Sequence, residues 1–239
     1  MDDHDARCDS DADLAALAAL GDPLRRRLYR FVGGQDHPVG RDEAAEGVGT
    51  SRSTAAFHLD RLVDDGLLDT EFRRLTGRQG PGAGRPAKLD RRATREIAVS
   101  LPAKRYELGA GLLAGAVTES TGTGAPVGAA LERLARERGA GMAGTVAGHT
   151  GRRATRAALA RAAAEALAAE GYEPRASAGE ILLGNCPFSA VVADHPELVC
   201  KMNLALLEGF TAALSEGGMS ARLRPTEGAC CVRLVLDGP

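Results

Sequence analysis

A pair of short predicted helices joined by a glycine turn is the feature that most constrains the fold of this sequence. Residues 41–46 are predicted to form the first helix, which Gly47 and Gly49 end, and the second helix begins near Ser51. A preceding helix is predicted from the Asp-Pro pair at residues 22–23, since aspartate caps free backbone amides and proline suits the first helical position. Two helices with so tight a turn between them are typical of a helix-turn-helix.

The second helix of the pair has a buried face and an outward face. Ala55, Leu59 and Leu62 recur at i, i+4 and i+7, which predicts a stripe packed against the core. The outward side then carries short polar, aromatic and guanidinium groups, which suit the base edges in a DNA major groove. The residues predicted to contact DNA from this helix are Arg52, Ser53, Phe57 and Arg61.

A basic β-hairpin is predicted directly after this helix. Residues 67–75 and 89–93 resemble two strands, with the glycine- and proline-rich residues 76–88 between them, and residues 72–95 carry eight Lys or Arg against one acid, Asp90. The alternative is a solvated basic loop, but a position directly after a helix-turn-helix favours a wing that holds phosphates or the minor groove. The predicted wing contacts are Arg78, Arg85 and Lys88.

The net charge of the chain hides an uneven distribution. The formal charge is −2 at pH 7, yet residues 14–105 carry 17 basic against 12 acidic side chains, whereas residues 106–239 carry 12 against 14. The half with the predicted helix-turn-helix is therefore the basic one, as expected for a surface that neutralises phosphates.

Two stretches of this half, ALGDPLRRRLYRFV at residues 19–32 and STAAFHLDRLVDDGLLDTEFRR at residues 53–74, resemble the ArsR-type winged-helix regulators. The similarity covers roughly the N-terminal two fifths of the chain. It implies a homodimer bound to a double-stranded, pseudo-palindromic DNA operator.

The length of 239 residues predicts two domains, at about one domain per 150 residues. We expect an α+β fold with a winged helix-turn-helix at residues 14–100, a connector and dimerisation helix at residues 101–126, and a sensor domain at residues 127–239. The dimerisation helix is predicted at residues 106–117, YELGAGLLAGAV, because small and apolar side chains suit close packing against another helix.

A cytoplasmic protein without a membrane span is predicted. The apolar runs fall well short of the roughly 20 residues that a spanning helix needs, and the acidic residues 1–13 do not resemble a secretory signal. Thiols stay reduced in the cytoplasm, so the five cysteines are expected to be ligands, redox switches or buried packing groups. We expect no enzymatic activity, because no nucleophile elbow or acid–base pair accompanies them.

Four of these cysteines lie between residues 186 and 231, on predicted elements that can meet at one site. Cys186 lies in a predicted loop, Cys200 on a predicted helix, and Cys230 at the start of the predicted last strand. The intervals of 13 and 29 residues between them are longer than those of zinc-ribbon hooks.

Cys230 and Cys231 are predicted to point to opposite faces of the last strand, since side chains alternate along a strand. Cys230 shares its face with Val232 and Leu234, so it is expected to be buried, whereas Cys231 lies nearer to solvent. One face supplies one thiolate, which favours three cysteine ligands, Cys186, Cys200 and Cys230. The candidates for a fourth ligand are Cys231, His195, Asp194, Glu197 or an external ligand.

Three of these segments, CPF at residues 186–188, HPELVC at 195–200 and GACCVRL at 228–234, together with GPGAGRPAK at 80–88, resemble the SufR-type iron–sulfur regulators. The resemblance implies a repressor whose DNA affinity is controlled by an iron–sulfur cluster on Cys186, Cys200 and Cys230. The sequence departs from that pattern by Cys231 and by longer intervals, so the cluster type stays open, with 4Fe-4S favoured over 2Fe-2S. The alternatives are a thiol redox switch, a zinc site, a small-molecule sensor, or buried thiols that only pack.

Overall fold

The computed structural model describes residues 11–74, 86–147, 155–177, 179–215 and 218–237. The chain divides into two compact units, one up to Val99 and one from Ser100 onward. Helices and strands are mixed in both units, as expected of an α+β protein. Among the described helices, none combines the length and the apolar character needed to cross a membrane.

The N-terminal unit is a helical layer against a small antiparallel sheet. In chain order the elements are α1 (Asp11–Ala19), α2 (Pro23–Gly33), β1 (Val39–Gly40), α3 (Arg41–Val48), α4 (Arg52–Asp64), β2 (Leu68–Arg73) and β3 (Ala87–Arg92). The sheet has the order β1-β3-β2, so the two strands of the predicted wing, β2 and β3, pair with each other and β3 also pairs with β1.

The predicted helix starts of this unit are confirmed by their caps. The carboxylate of Asp22 accepts hydrogen bonds from the amides of Leu24 and Arg25 at 2.8 and 2.9 Å, and the hydroxyl of Ser51 accepts one from the amide of Thr54 at 3.1 Å. These bonds satisfy amides that have no partner inside the helix. Helices α2 and α4 therefore begin where the sequence indicates.

The prediction that Gly47 ends the first helix of the pair is wrong. Gly47 lies inside α3, and the helix ends at Val48, followed by Gly49 in the left-handed conformation with φ of 68°. A Cβ atom at position 47 would lie 2.1 Å from the ring of Phe31. The absence of a side chain at position 47 therefore lets the ring of Phe31 pack closely on α3, whereas Gly49 makes the turn.

The C-terminal unit packs helices against a four-stranded antiparallel sheet. In chain order the elements are α5 (Tyr106–Thr123), α6 (Val127–Ala147), α7 (Arg156–Ala169), β4 (Pro174–Ser177), β5 (Glu180–Leu183), α8 (Ser189–Asp194), α9 (Pro196–Leu214), β6 (Met219–Leu223) and β7 (Val232–Leu236). The strand order is β4-β5-β7-β6. The core contains the buried sides of α6, α7 and α9 together with the inner face of β5 and β7.

Helices α6 and α9 cross with their backbones in contact. A Cβ atom at Gly139 would lie 1.8 Å from the carbonyl oxygen of Leu206, and one at Gly209 would lie 2.0 Å from that of Arg136. Only glycine permits such an approach in both directions. The crossing holds α9, which carries Cys200, in a fixed position within the core.

Candidate nucleic-acid interface and thiol cluster

The outward face of α4 is formed by the residues predicted from its periodicity. Ala55, Leu59 and Leu62 have no exposed surface, whereas the four predicted DNA contacts of this helix are all exposed. Phe57 stands out, because 67% of its surface is accessible although its side chain is apolar. An exposed aromatic ring of this kind suits contact with the methyl group of thymine in a major groove.

Both arginines of this face form ion pairs within the protein. The Nε atom of Arg52 lies 2.7 Å from a carboxylate oxygen of Asp42 on α3, and that of Arg61 lies 3.1 Å from Asp65 one turn further along α4. Both guanidinium groups remain more than half exposed. Their other nitrogen atoms are therefore available to DNA, and Asp42 orients Arg52 beforehand.

A concavity of about 750 Å³ lies next to the start of α4, between α3 and the strands of the wing. Arg52, Phe72 and Arg73 line it, and Phe72 is 68% exposed. Arginine and exposed aromatic side chains therefore continue from the outward face of α4 onto β2. This combination is typical of a surface that contacts phosphates and bases together.

The wing residues predicted to contact DNA fall in two groups. Arg78 and Arg85 lie outside the described residues. Lys88 lies at the base of the wing, where its ammonium group is 2.6 Å from the carboxylate of Asp60 on α4, and Arg41 on α3 binds the same carboxylate at 2.7 Å. Lys88 thus ties the wing to α4, and its contact with DNA stays a prediction.

The carboxylate of Asp60 is the common point of these contacts. Partial burial raises its pKa, but the hydrogen bond from Lys88 and the charge of Arg41 lower it by more, so that the pKa lies below its ordinary value. Asp60 is therefore ionised at neutral pH and joins α3, α4 and β3. This junction fixes the wing relative to α4, the helix predicted to face DNA.

Asp90, behind this junction, is a fully buried carboxyl group. One of its oxygens accepts a hydrogen bond from the hydroxyl of Thr70 at 2.7 Å, and the other has no hydrogen-bond partner among the described residues. Burial raises the pKa of Asp90 above its ordinary value. Keeping this group charged at neutral pH therefore costs stability.

In the C-terminal unit, four cysteines from three separate segments of the chain lie near one another. The side chain of Cys186 interacts with that of Cys230, Cys230 with Cys231, and Cys231 with Cys200, and we call these four side chains the thiol chain. Cys230 is fully buried and the other three are partly buried. The loop, the helix and the segment before the last strand thus meet as the sequence suggested.

The thiols of this chain hold their protons firmly. The hydrogen bond to Cys230 and burial raise the pKa of Cys186, and burial raises that of Cys200. For Cys230, the hydrogen bond with Cys186 favours the thiolate, but the bond with Cys231 and burial outweigh it and raise the pKa to about 11. The three thiols are therefore neutral at pH 7 when no metal is bound.

Cys231 has the burial predicted from strand alternation, but it lies outside the regular strand. Its burial agrees with the prediction, since it is partly exposed beside a fully buried Cys230. However, β7 begins only at Val232, so neither cysteine belongs to the regular strand. The side chain of Cys231 can therefore reach Cys200 and Cys230.

The other predicted candidates for a fourth ligand, Asp194, His195 and Glu197, are all exposed. Within the described part of the chain, no group of three or more Cys, His, Asp or Glu side chains has an arrangement ready to hold a metal ion. Binding a metal at the thiol chain therefore requires a rearrangement of its side chains.

A buried hydrogen-bond chain ends on the thiol chain. The side-chain amide of Asn203 on α9 donates to the sulfur of Cys230 at 3.2 Å, and the hydroxyl of Tyr172 donates to the carbonyl oxygen of the same amide at 2.5 Å. Asn203 is completely buried and Tyr172 is 1% exposed. Burial raises the pKa of Tyr172 well above its ordinary value, so its hydroxyl remains a donor.

A second set of bonds ties the Cys186 loop to the beginning of the unit. The side-chain amide of Asn185 donates to the carbonyl oxygens of Ala103 and Gly171 at 2.8 and 2.5 Å. The ammonium group of Lys104 donates to the Asn185 carbonyl at 2.7 Å and to the backbone carbonyl of Cys186 at 3.2 Å. We call these contacts the Asn185 junction.

Asn203, Lys104 and Asn185 were not predicted to be functional residues. Asn203 lies three positions after Cys200, on the same helix face, and a polar residue in the apolar stripe of α9 was the signal that could have indicated it. For Asn185 the signal was a polar residue directly before Cys186.

Comparison with known proteins gives one match. The family model described as a helix-turn-helix domain matches residues 20–71, which lie within the N-terminal unit. No curated protein and no solved structure matches the chain. The chain therefore carries a helix-turn-helix domain, in agreement with the ArsR-like part of the sequence analysis.

Proposed function

We propose that this DNA-binding transcriptional regulator is controlled by an iron–sulfur cluster held by the cysteines of its C-terminal unit. The observation that carries the proposal is the meeting of Cys186, Cys200, Cys230 and Cys231 in one thiol chain, although they come from three separate segments. Thiolates are the usual protein ligands of iron–sulfur clusters.

The donor set fits such a cluster. Cys186, Cys200 and Cys230 would be ligands, and Cys231 is the best-placed fourth candidate because it already contacts two of the other thiols. The N–H of Asn203 points at one of the sulfurs, as donors around cluster ligands do. When bound, the cluster would supply sensitivity to oxidants and to iron supply.

A zinc site is the second candidate, because four thiolates also suit zinc. A simple thiol switch is less favoured. The thiolate is the form that reacts with oxidants, and the raised pKa values of Cys186, Cys200 and Cys230 keep these thiols neutral. Metal binding overcomes the same barrier, since a coordinated thiol loses its proton.

The Asn185 junction supplies a route from the thiol chain to the DNA-binding unit. Cys186 is one residue from Asn185, and the junction holds residues 103–104, which follow the boundary between the units by only a few residues. Ligation that moves the Cys186 loop therefore moves the segment that leads to the helix-turn-helix domain. Operator affinity changes with that segment.

We propose that the active species is a homodimer bound to a pseudo-palindromic operator, as a helix-turn-helix domain commonly requires. Helix α5 supports this proposal, because Tyr106 is 40% and Val117 52% exposed on a helix otherwise rich in small and apolar residues. In a dimer, the two half-sites are read together. Small displacements of the linking segments then alter the distance between the two recognition helices.

Anaerobic purification tests the proposed cluster. We expect brown protein with visible absorption and with iron and sulfide bound, whereas a zinc site gives colourless protein that contains zinc. Serine variants at positions 186, 200, 230 and 231 should each lose most of the iron, and Cys8→Ser is the matched control that should keep it. Full iron content in Cys231→Ser would assign the fourth position to another ligand. Iron-free wild-type protein after anaerobic reconstitution would refute the cluster.

A further inference from the structure

We infer that Asn203 is a positioning residue for Cys230, whose side-chain amide stabilises the sulfur as a negatively charged ligand and thereby sets the reduction potential of the cluster. The inference rests on the proposed iron–sulfur function and adds a role for a residue that is not itself a ligand. Its basis is the buried chain from Tyr172 through Asn203 to the sulfur.

Asn203 is a polar residue at a fully buried position that is otherwise surrounded by apolar residues of α9. It has no exposed surface, and its buried neighbours on α9, Val199, Met202 and Leu206, are all apolar. An amide in such surroundings is destabilising unless both of its ends are hydrogen-bonded. Both ends of Asn203 do have partners, and one of those partners is the Cys230 sulfur.

The orientation of the amide follows from its two partners. A sulfur bonded to iron has no proton and accepts hydrogen bonds only, so the nitrogen end of Asn203 must face Cys230. The carbonyl end then faces Tyr172, whose hydroxyl donates to it. A neutral Cys230 thiol can also donate, so ligation removes the alternative orientation. Tyr172 thus holds the amide in the direction that a ligand sulfur needs.

An N–H donor at a ligand sulfur affects the two oxidation states of a cluster unequally. Adding one electron increases the negative charge on the sulfurs, and the hydrogen bond from Asn203 stabilises that charge. The oxidised state gains less. The amide therefore makes the cluster easier to reduce, which a purely structural role for Asn203 would not do.

The test is a reductive titration with dithionite, which supplies the electron, on anaerobically reconstituted full-length protein. Asn203→Leu removes the N–H from the sulfur without adding a charge beside the cluster. We expect the equilibrium constant for reduction to fall about tenfold, which for a one-electron couple is a potential about 59 mV more negative. Asn203→Ala should shift the potential in the same direction and is the second variant if the first binds little iron.

Tyr172→Phe is the matched control. It removes the far end of the same chain and leaves the N–H of Asn203 beside the sulfur, so its potential should move less than that of Asn203→Leu, although it destabilises the same part of the core. A cluster with wild-type potential in both Asn203 variants would overturn the inference and leave the proposed function intact. Wild-type protein that binds no iron would overturn the proposed function, and the inference with it.

Discussion

Separating the Cys186 loop from residues 103–104 should uncouple the cysteines from DNA. Asn185 is 6% exposed and its side chain makes three hydrogen bonds, two to backbone carbonyls and one from the ammonium group of Lys104. A neutral hydrogen bond contributes about 1 kcal/mol to the free energy of unfolding and a charged one about 1.5–3 kcal/mol, so Asn185→Leu lowers that free energy by at most about 5 kcal/mol. We expect the free energy of unfolding to fall by about 2–4 kcal/mol, since Lys104 keeps its bond to the Cys186 carbonyl.

Lys104→Met is the variant suited to a functional assay, because it removes the charged bonds of the junction and leaves the two bonds from Asn185 to the backbone. We expect it to lower the free energy of unfolding by about 1.5–3 kcal/mol, measured by urea denaturation of the metal-free protein. It should bind iron and sulfide as the wild type does. Lys201→Met, an exposed lysine of the same unit, is the control.

Operator affinity is then measured with and without iron for each protein, on an operator selected from random DNA sequences. In the wild type and in Lys201→Met, the two affinities should differ clearly. In Lys104→Met, the ratio of the two affinities should fall clearly below the wild-type ratio, because the Cys186 loop loses its charged bonds to residue 104 and keeps only the bonds of neutral groups to residues 103 and 105. If Lys104→Met loses the expected stability but keeps the wild-type ratio of operator affinities, the Asn185 junction is not the route from the cysteines to the DNA-binding unit.

Three further predictions concern the N-terminal unit. Arg52→Ala should weaken operator binding by about 1–3 kcal/mol and random DNA far less, whereas equal losses in a binding titration would make Arg52 a phosphate contact. Replacing Arg78, Arg85 and Lys88 together by alanine should flatten the salt dependence of log Kd by nearer two than three phosphate contacts, because Lys88 already forms an ion pair within the protein, and an unchanged slope would exclude the wing. Asp90→Asn should raise the free energy of unfolding at pH 7 by about 1 kcal/mol. Because burial raises the pKa of the folded carboxyl group, its charge costs stability above that pKa; the gain should vanish as the pH falls below 3.8, and a pH-independent gain would contradict this reasoning.

The parts of the fold that follow local rules were predictable from the sequence. The cap at Asp22 and the buried stripe of α4 depend on residues within about two helical turns of each other, and the strands of the wing are neighbours along the chain that pair as a hairpin. Helix α1 was missed because its mostly small side chains form no apolar stripe. It is held by burial of Ala16 and by an ion pair between Asp13 and Arg95, which no local pattern indicates.

The candidate site was predictable only as a set of cysteines. Their residue type indicated a thiolate site, but the thiol contacts join segments up to some tens of residues apart. The supporting residues depend even more on the fold, since Lys104 binds the loop at position 185 and Tyr172 reaches Asn203 on another element. The prediction that Cys231 lies nearer to solvent than Cys230 is confirmed, although the regular strand begins only at Val232.

The backbone contact between α6 and α9 limits which sequences this unit can tolerate. At Gly139 and Gly209 even alanine would collide with the carbonyl group of the other helix, so a saturation library screened for folded protein should return glycine alone at both positions. Gly141 and Gly144, on the same helix as Gly139, have open space beside them. Alanine there should be accepted and should stabilise the helix by up to about 1 kcal/mol each, since glycine is a poor helix former. The glycines of α6 thus divide into Gly139, which the crossing requires, and others such as Gly141 and Gly144, which selection is free to replace.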